Sequence, residues 1–359
     1  MTFGWAQFVA AFLGCGVLSL VLTPKVMRLA TRFNILDVPG EHKSHVSPVP
    51  YLGGLAIVCS FVLIVGGLAI IDNRGTSRNE VLLVLGTGML LAIMGLIDDL
   101  RRVPVLPRLA AEILAGVALV ALDVGASFTG IRWLDVSVTI VWTVGIINAV
   151  NMTDNMDALS SGLVVVASLT FFAIAVGNDQ YLVATLAASL AGCALGFLRH
   201  NYHPARIYMG DAGSYFLGFL VAYIGLKVQF RESDQANTFI VPVVVCAVLI
   251  FDATLVTVSR IYHGVSPFKG GRDHTSHRLV KIGLPIRVAV GTIHAFAASC
   301  GVIAYVVTRV PVGPGWVLIG WLGAVLLLVG SALALVPVYE TSTHQLFRFE
   351  RQGATSEET

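Results

Sequence analysis

Acidic side chains stand at the edges of apolar segments in three places along this chain. The stretch NMTDNMDALSSG carries Asp154 and Asp157 between two long apolar runs. GLIDDL places Asp98 and Asp99 at the end of another apolar run, and YMGDAGS places Asp211 at the start of a further one. Carboxylate and asparagine oxygens are hard ligands of the type that Mg²⁺ and Mn²⁺ prefer. The three segments therefore predict a divalent-metal site.

The spacing of these acids also predicts how they are used. Asp154 and Asp157 are three residues apart, so on a helix they would share a face. Adjacent Asp98 and Asp99 cannot point the same way on a helix, so one could face a site while the other caps or orients it. Glycines flank Asp211, which suits a close backbone approach to a ligand or metal. Any one of these acids could instead be an ordinary helix cap or a solvated group, and the shared site is the favoured interpretation.

Two loops supply cations and imidazole groups suited to phosphate. EHKSHVSPVPYLGG contains Lys43 and His45. FKGGRDHTSHRLVKIGLP contains Arg272, His274, His277 and Arg278. The two histidines in the second loop could bind zinc, but no third ligand stands at a standard spacing. A glycine-rich loop dense in arginine and histidine matches phosphate better, and combined with a metal site it indicates phosphoryl transfer.

The elements that must position these residues are apolar. Of 359 residues, 56% are hydrophobic and only 12% are charged, whereas soluble domains carry about 25% charged residues. Most of the apolar runs reach the ~20 residues that span a membrane as a helix. We predict an all-α polytopic membrane protein with about 11 transmembrane helices, from the runs 5–22, 51–71, 81–97, 109–126, 138–150, 161–177, 181–198, 213–230, 239–259, 288–308 and 315–338.

Charge asymmetry predicts the orientation. No Lys or Arg precedes the first run, and Lys25, Arg28 and Arg32 follow it, so the amino terminus is expected outside and the carboxyl terminus in the cytoplasm. Most of the 23 Lys and Arg residues, and the acids of the three segments, then fall on the cytoplasmic side. Residues 1–340 are expected to form a single transmembrane catalytic domain with its active site at that face, and residues 341–359 a polar tail.

Five ordered motifs carry a resemblance to a known family. PVPYLGG, GLIDDL, NAVNMTDNMDAL, GFLRHNYHPARIYMGDAGS and GRDHTSHRL are similar, in order and topology, to the polyprenyl-phosphate N-acetylhexosamine-1-phosphate transferase superfamily. The resemblance covers residues from about 37 to 285. It implies a phosphoglycosyl transferase of cell-envelope glycopolymer synthesis in the bacterial cytoplasmic membrane.

The resemblance also implies a reaction and its partners. Such enzymes move a sugar-1-phosphate, here expected to be GlcNAc-1-phosphate, from a UDP-N-acetylhexosamine to undecaprenyl or decaprenyl phosphate. UMP leaves, and Mg²⁺, or Mn²⁺ in its place, is required. The expected partners are these two substrates and membrane lipid, with no nucleic acid, and a homodimer is left open. We favour direct attack by the lipid phosphate over a covalent aspartyl-phosphate intermediate.

Residue roles carry over position by position from the resemblance. The catalytic residues implied are Asp98, Asp99 and Asp154. The metal ligands implied are Asp211, Asp154 and Asn151. The substrate-binding residues implied are Lys43, His45, Asn151, Asp157, Asn201, Tyr208, Arg272, His274, His277 and Arg278. Of these, Asn201 and Tyr208 are implied near the uridine of the nucleotide, and Asp157 belongs to the stretch that lines the metal and nucleotide site.

Three positions depart from the family pattern. The central motif often reads N-x-x-D-G-x-D-G, and here Asn155 and Ala158 replace both glycines. Asn tolerates a positive φ, so Asn155 is expected to keep the turn, and Ala158 indicates that its own position needs no positive φ. The histidine loop often reads H-x-H-H, and here Ser276 replaces one histidine. This favours a UDP-N-acetylhexosamine donor over a pentapeptide-bearing one.

Three other functions remain open on the sequence alone. An ion-coupled transporter would use intramembrane acids near the midplane, and Glu112 and Asp252 lie inside apolar runs. Both are expected to hydrogen-bond between helices or to orient the site. A phospho-N-acetylmuramoyl-pentapeptide transferase is the alternative within the superfamily. A CDP-alcohol phosphotransferase would need a D-G-x-x-A-R motif, which the sequence lacks.

Overall fold

Helices make up nearly all of the regular structure. The computed structural model describes residues 5–37, 48–71, 75–126, 129–229, 235–268 and 270–339. The helices in these ranges are α1 (Trp5–Arg32), α2 (Gly53–Ile71), α3 (Gly75–Arg101), α4 (Val105–Ala121), α5 (Arg132–Thr153), α6 (Leu159–Val176), α7 (Tyr181–Asn201), α8 (Asp211–Lys227), α9 (Gln235–Val245), α10 (Ala247–Tyr262), α11 (Thr275–Lys281), α12 (Ile286–Val307) and α13 (Val312–Ala334). Two short strands, β1 (Leu36–Asp37) and β2 (Val49–Pro50), pair antiparallel.

Every apolar run predicted as a membrane span overlaps helix over most of its described length. Within the described part of the chain, 8 helices are long and apolar enough to cross a membrane, namely α1, α2, α3, α5, α6, α7, α12 and α13. Helices α4 and α8 are apolar but have only 17 residues each. The chain is therefore an all-α, multi-pass membrane protein, as the composition predicted.

The apolar run 239–259 is not one continuous helix. Pro242 lies inside α9, where it removes one donor from the ladder of main-chain hydrogen bonds. Cys246 then separates α9 from α10, although its N–H still bonds the carbonyl of Pro242 at 3.0 Å. One predicted span is thus divided into two helical segments.

Helix α8 is the central helix of the fold. Nearly every side chain from Ala212 to Gly225 is buried, because α8 is surrounded by α2, α3, α5, α6, α7 and α9. The indole N–H of Trp142 on α5 donates to the carbonyl of Ala222 on α8 at 3.1 Å. Burial on all sides fixes the position of the first residue of α8, which is Asp211.

Close packing of α3 on α8 brings two acidic segments together. A Cβ atom added at Gly95 would lie 2.4 Å from the main-chain oxygen of Asp211, so only glycine permits this approach. Asp98 and Asp99 follow within about one helical turn. A side chain at Gly95 would push the end of α3 away from the beginning of α8.

The β1–β2 pair, which the sequence analysis did not predict, positions the segment before α2. Tyr208 donates its main-chain N–H to the carbonyl of Pro50 at 2.8 Å, and the N–H groups of Gly53 and Gly54 bond the carbonyls of Tyr208 and Met209. The chain entering α2 therefore runs beside the chain entering α8. The predicted phosphate-binding residues Lys43 and His45 lie outside the described residues.

Candidate active site

The first turn of α8 is capped by a carboxylate from another helix. Asp99 Oδ1 accepts the main-chain N–H of Asp211 at 2.9 Å, and Asp99 Oδ2 accepts that of Ala212 at 3.2 Å. The first N–H groups of a helix have no partner within the helix, and a negative charge there is stabilised by the helix dipole. Asp99 therefore joins the end of α3 to the beginning of α8.

Gly210 makes this arrangement possible. Its φ of 74° lies in the left-handed region, and a Cβ there would lie 2.7 Å from Asp99 Oδ2. Glycine meets both requirements at no steric cost. The N–H of Gly210 also donates to the carboxylate of Asp154. The glycine before Asp211 in YMGDAGS is thus explained by the approach of two carboxylates to one backbone.

Asn151 orients the carboxylate of Asp211. It stands in the last turn of α5, and its Nδ2 donates to Asp211 Oδ1 at 2.7 Å and contacts Ser214 Oγ at 2.9 Å. The two predicted metal ligands Asn151 and Asp211 are therefore brought together. The amide nitrogen of Asn151 is directed at the carboxylate, so this contact fixes the Asp211 side chain.

Asp154 adds a further carboxylate to this cluster. It follows directly on α5 and is partly buried. Burial, together with the nearby carboxylates of Asp211 and Asp157, raises the pKa of Asp154 to about 7. A carboxylate that is both desolvated and repelled by its neighbours would be relieved by a bound cation.

The donor set fits a magnesium ion held jointly with a substrate. Within the residues described, no three His, Cys, Asp or Glu side chains are already gathered tightly enough to hold a metal ion by themselves. Mg²⁺ is ordinarily bound through one or two carboxylates together with substrate phosphates and water, and seldom by a cage made of protein alone. Asp154 and Asp211 satisfy that requirement.

Asp98 forms an ion pair that the sequence analysis did not anticipate. Its Oδ2 accepts Arg108 Nη1 at 2.6 Å, and its Oδ1 accepts the N–H of Val103 at 2.6 Å, with the residue only 7% exposed. Arg108 had been counted only as one of the cytoplasmic cations. Glu112 lies on α4, as Arg108 does, and it accepts a hydrogen bond from Asn148 of α5. This is the interhelical role expected for Glu112.

Asp157 binds the loop that follows α7. Its Oδ2 contacts His203 Nδ1 at 2.7 Å and accepts the N–H of Ala205 at 3.0 Å. Asp157 therefore lies beside the cluster of Asp154 and Asp211, with one oxygen already engaged. His203 is a second partner that the sequence analysis missed, since nothing in HNYHPAR distinguishes it from the neighbouring histidine.

Asn201 is buried, and both ends of its amide are used by the protein. Only 2% of it is exposed. Its Oδ1 accepts the N–H of Ala158 at 3.0 Å and Ser161 Oγ at 3.3 Å, and its Nδ2 donates to the carbonyl of Ile207 at 3.0 Å. Tyr208, expected beside the same nucleotide, is partly buried, and burial together with Asp157 raises the pKa of its phenol.

The two replaced glycines behave in the opposite way to the sequence-based expectation. Ala158 has a φ of 67° and is the residue in the left-handed region, whereas Asn155 is not among the residues with positive φ. The prediction that the Ala158 position needs no positive φ was wrong. The side chain of Asn155 instead bonds within its own turn, from Nδ2 to the carbonyl of Met152 at 2.7 Å.

His274 is held by a buried carboxylate on α10. Its Nδ1 lies 2.7 Å from Asp252 Oδ2, and Asp252 Oδ1 accepts the N–H of Thr275 at 2.7 Å. Asp252 thus orients the histidine, as expected. The ring of His277 lies 6.0 Å from that of His274. Burial lowers the pKa of His277 to about 4, and the charges of His274 and Arg272 act in the same direction.

Ser276, between these histidines, bonds the acidic loop directly. Its Oγ donates to Asn155 Oδ1 at 2.7 Å. Two positions at which the chain departs from the family pattern, 121 residues apart in sequence, are therefore hydrogen-bonded to each other.

Arg278 does not bind substrate phosphate, which corrects the sequence-based assignment. It is 0% exposed. Its guanidinium donates to the carbonyls of Asp273, Leu333 and Val336 and to Ser259 Oγ, at 2.7–3.2 Å. Arg278 thereby caps the end of α13, because the last carbonyls of a helix lack partners within it. A high density of cations in a loop cannot show which of them face inward.

Two adjacent charged residues of this loop, Arg272 and Asp273, differ in exposure. Arg272 is exposed and stands close enough to His277 to act on it electrostatically. Asp273 is buried, and Arg260 binds both of its oxygens at 2.8 Å. Although burial acts in the opposite direction, that ion pair holds the pKa of Asp273 at about 2. The ion pair between Asp273 and Arg260 therefore fixes the loop on α10, while the side chain of Arg272 stays exposed to solvent.

Comparison with known proteins relates this site to a family. The model of glycosyl transferase family 4 matches residues 81–229, which contain the acidic cluster from Asp98 to Asp211. The segment with His274 and His277 lies outside that match.

Whole-chain comparisons extend the similarity. The chain is 28% identical to a probable undecaprenyl-phosphate N-acetylglucosaminyl 1-phosphate transferase of Bacillus subtilis, over 80% of this chain and 81% of that protein. It is 32% identical to the decaprenyl-phosphate N-acetylglucosaminephosphotransferase of Mycolicibacterium smegmatis, over 82% and 79%. A phospho-N-acetylmuramoyl-pentapeptide-transferase of Halalkalibacterium halodurans is 30% identical over 62% of this chain and 74% of its own. The chain therefore belongs to glycosyl transferase family 4.

Proposed function

We propose that this protein transfers GlcNAc-1-phosphate from UDP-GlcNAc to a polyprenyl phosphate and releases UMP. The relatives that share about four-fifths of the chain are named for that transfer to undecaprenyl or decaprenyl phosphate. The observation that carries the proposal is the convergence of three helices on one residue, Asp211. Asp99 from α3 and Asn151 from α5 both hydrogen-bond Asp211, the first residue of α8.

Asp154 and Asp211 are the residues that would hold Mg²⁺. When bound, the metal supplies positive charge that stabilises the transferring phosphoryl group. Asn151 fixes one oxygen of Asp211 at 2.7 Å, and Gly210 donates to Asp154. Both carboxylates are therefore oriented by the protein before any ligand binds.

Arg272, His274 and His277 would hold the donor diphosphate and sugar. Arg272 is exposed and charged, as a phosphate contact requires. Asp252 bonds Nδ1 of His274, so Nε2 is the ring nitrogen left to face a ligand. Lys43 and His45 stay predicted phosphate contacts, and Tyr208 stays a predicted contact of the nucleotide.

Several of the predicted residues act by positioning others. Asp99 holds the first turn of α8, and Asp98 holds Arg108. Asn201 fixes the turn at Ala158, and Asp157 fixes the chain at Ala205 while its second oxygen stays a predicted contact of the nucleotide. None of these roles needs the residue to exchange a proton with the substrate.

The reaction is a direct displacement at phosphorus. An oxygen of the lipid phosphate forms a bond to the sugar-linked phosphorus of the donor. The bond from that phosphorus to the bridging oxygen breaks, and its electron pair leaves with UMP. The lipid phosphate is already mostly a dianion at neutral pH, since its second pKa lies near ~6, so the chain's main task is to align the two substrates.

The setting of the reaction follows the charge pattern. We place the site at the cytoplasmic face of a bacterial cytoplasmic membrane, with the amino terminus outside and the carboxyl terminus inside. About 11 spans and a single catalytic domain over residues 1–340 stay predictions, and a homodimer stays open. The cations near the site, Arg108 and Arg272, agree with the cytoplasmic excess expected of such loops.

One reconstitution tests the proposal. Purified full-length protein, radiolabelled UDP-GlcNAc, polyprenyl phosphate and Mg²⁺ should give organic-extractable label and UMP in equal amounts. Omitting the lipid phosphate should abolish both. Asp211→Asn is the matched variant that should still insert in the membrane but form at least ~10²-fold less product. Uptake of label into sealed vesicles without any lipid-linked product would instead indicate a transporter.

A further inference from the structure

The hydrogen bond between Ser276 and Asn155 joins two segments that come from distant parts of the chain. Asn155 directly follows Asp154, in the loop between α5 and α6. Ser276 lies in the first turn of α11, between His274 and His277. Their side chains meet at 2.7 Å from Oγ to Oδ1. A single contact therefore links the acidic loop to the segment that carries the histidines.

Asn155 is held in the orientation that this bond requires, and Ser276 is shielded from solvent. Asn155 donates its Nδ2 to the carbonyl of Met152 at 2.7 Å, so its Oδ1 is the atom turned towards α11. Ser276 is 0% exposed, so water does not compete for its hydroxyl group. A partly buried hydrogen bond with a preoriented acceptor contributes more than one between mobile surface side chains.

The rest of the histidine segment is fixed from the opposite side. Asp252 on α10 bonds both His274 and the N–H of Thr275. Arg278 ties the same short helix to the end of α13. These contacts anchor α11 to α10 and α13, whereas the Ser276 contact reaches across to the loop of Asp154. Its place in the fold is thus between the metal-site carboxylates and the imidazoles.

We infer that Asn155 and Ser276 form a coupled pair of positioning residues that holds the histidine segment on the acidic loop and thereby sets how tightly the sugar-nucleotide donor is bound. The inference rests on the proposed function, because the donor diphosphate is the ligand placed between these two segments. The lipid phosphate approaches from the membrane and depends less on this contact. The pair should therefore govern use of the donor and not of the acceptor.

A double-mutant cycle with Ser276→Ala and Asn155→Ala tests the coupling. With the full-length enzyme, each single variant should raise KM for UDP-GlcNAc by about 3- to 10-fold, the loss expected for one hydrogen bond. KM for the lipid phosphate should change less than about twofold. The double variant should be no worse than either single variant, because both remove the same interaction. Multiplicative losses, or equal changes for both substrates, would overturn the inference.

Matched controls remove the same groups elsewhere in the chain. Ser299→Ala deletes a hydroxyl group that donates to Ala295 on the surface of α12, and Asn178→Ala deletes an amide that donates to Ile174 after α6. Neither should change either KM. If they raise KM for the donor as much as the pair does, the effect is general loss of stability and the inference fails.

Hydrogen exchange provides a measurement that does not depend on turnover. The main-chain amides of α11 should exchange severalfold faster in each single variant than in the native protein. In the double variant they should exchange no faster than in either single variant. Unchanged exchange would overturn the inference even if the enzyme transfers GlcNAc-1-phosphate as proposed. Conversely, faster exchange in a protein that does not use UDP-GlcNAc would retain the structural coupling while the proposed function fails.

A pair of compensating size changes at the two positions also tests their coupling. Ser276→His puts a larger ring into a fully buried position against Asn155, and overpacking of such a site is destabilising. Asn155→Gly removes the side chain that the ring would meet. The double variant should therefore recover most of the donor affinity that Ser276→His loses. Failure of Asn155→Gly to improve Ser276→His would show that the two positions are independent.

Discussion

The carboxylate of Asp99 accepts the main-chain N–H of Asp211 at 2.9 Å, so the last turn of α3 caps the first turn of α8. The close contact at Gly95 and the left-handed backbone of Gly210 both serve this one relationship. Two segments separated by 112 residues in sequence are thereby fixed as one unit. Asp211 is presented to a ligand at the amino-terminal end of a buried helix, where the helix dipole favours negative charge.

The two carboxylates should fail in different ways when replaced. Asp211→Asn removes a proposed metal ligand and should lower turnover by ~10²-fold or more, since the metal contributes several kcal/mol to charge stabilisation. Asp99→Asn puts an NH₂ group against one of two N–H donors, which should cost ~1–3 kcal/mol of stability as well as turnover. Thermal unfolding in detergent, beside the activity assay, separates the two effects.

Chelation provides the control for that assignment. EDTA should abolish turnover of the native protein, and Mg²⁺ or Mn²⁺ should restore it. Asp211→Asn should need a higher metal concentration for half of its residual activity, whereas Asp99→Asn should need the native concentration. Full turnover in the presence of chelator would contradict the assignment of Asp211 and Asp154 as metal ligands.

The sequence predicted the helices and the site segments because both leave strong local signals. Apolar runs mark helices wherever lipid offers the backbone no hydrogen-bond partners, and each predicted run overlaps helix over most of its described length. The three acidic segments were also predicted to share one site. Asn151 and Asp99 both contact Asp211, as that prediction requires.

Details that depend on tertiary contacts could not be predicted. Whether Asn155 or Ala158 takes the positive φ depends on how the turn closes on Asn201, and residue preference alone suggested the wrong one. The inward direction of Arg278 depends on the carbonyl end of α13, which lies 55 residues further along the chain. Arg108 could be predicted as the partner of Asp98 only if the packing of α4 beside α3 were known.

Two arginines of the same loop should have opposite mutational effects. Arg278→Ala removes a fully buried guanidinium that donates to three carbonyls and to Ser259 Oγ, so it should cost ~3 kcal/mol or more of stability. Arg272→Ala changes an exposed residue, so stability should shift by less than ~0.5 kcal/mol, while loss of a charged phosphate contact should raise KM for UDP-GlcNAc ~10-fold or more. Unfolding temperatures and donor KM values, measured on both, provide the comparison.

The pH dependence of stability should reflect His277. Its pKa of about 4 in the folded protein lies below the ~6.5 of an unfolded histidine, so the unfolded chain binds more protons between those values. Stability should therefore fall as the pH is lowered from ~6.5 towards ~4. His277→Gln should weaken that decrease in unfolding temperature, and an unchanged pH profile would contradict the assignment.

Direct transfer predicts that nothing happens to the donor without the lipid. Enzyme given only labelled UDP-GlcNAc and Mg²⁺ should release no stoichiometric burst of UMP and should retain no label after denaturation. Both oxygens of Asp98 and both of Asp99 already accept hydrogen bonds from the protein, which disfavours either as a nucleophile. A burst matched one-to-one by protein-bound label, and lost on changing a single aspartate, would establish a covalent intermediate.

Glycine should be tolerated at position 158 far better than in a helix. The left-handed conformation costs an L-residue ~1–2 kcal/mol, which Ala158→Gly recovers. The substitution also has two costs: ~0.5–1 kcal/mol because glycine loses more chain entropy on folding, and ~0.8 kcal/mol because a buried methyl group is removed. The net change should be near zero. Ala187→Gly is the matched control, because Ala187 is equally buried but lies in the helical backbone of α7.

At Ala187 no conformational strain offsets the same two costs, so Ala187→Gly should lose ~1.5 kcal/mol of stability. Ala158→Val should be worse than either, since a β-branched residue at positive φ is strongly disfavoured. The measurement is the unfolding temperature of the three variants in one detergent, with transfer activity beside it. Equal losses for glycine at both positions would show that the turn at Ala158 relaxes to a negative φ, and that Asn201 does not hold it through the N–H of Ala158.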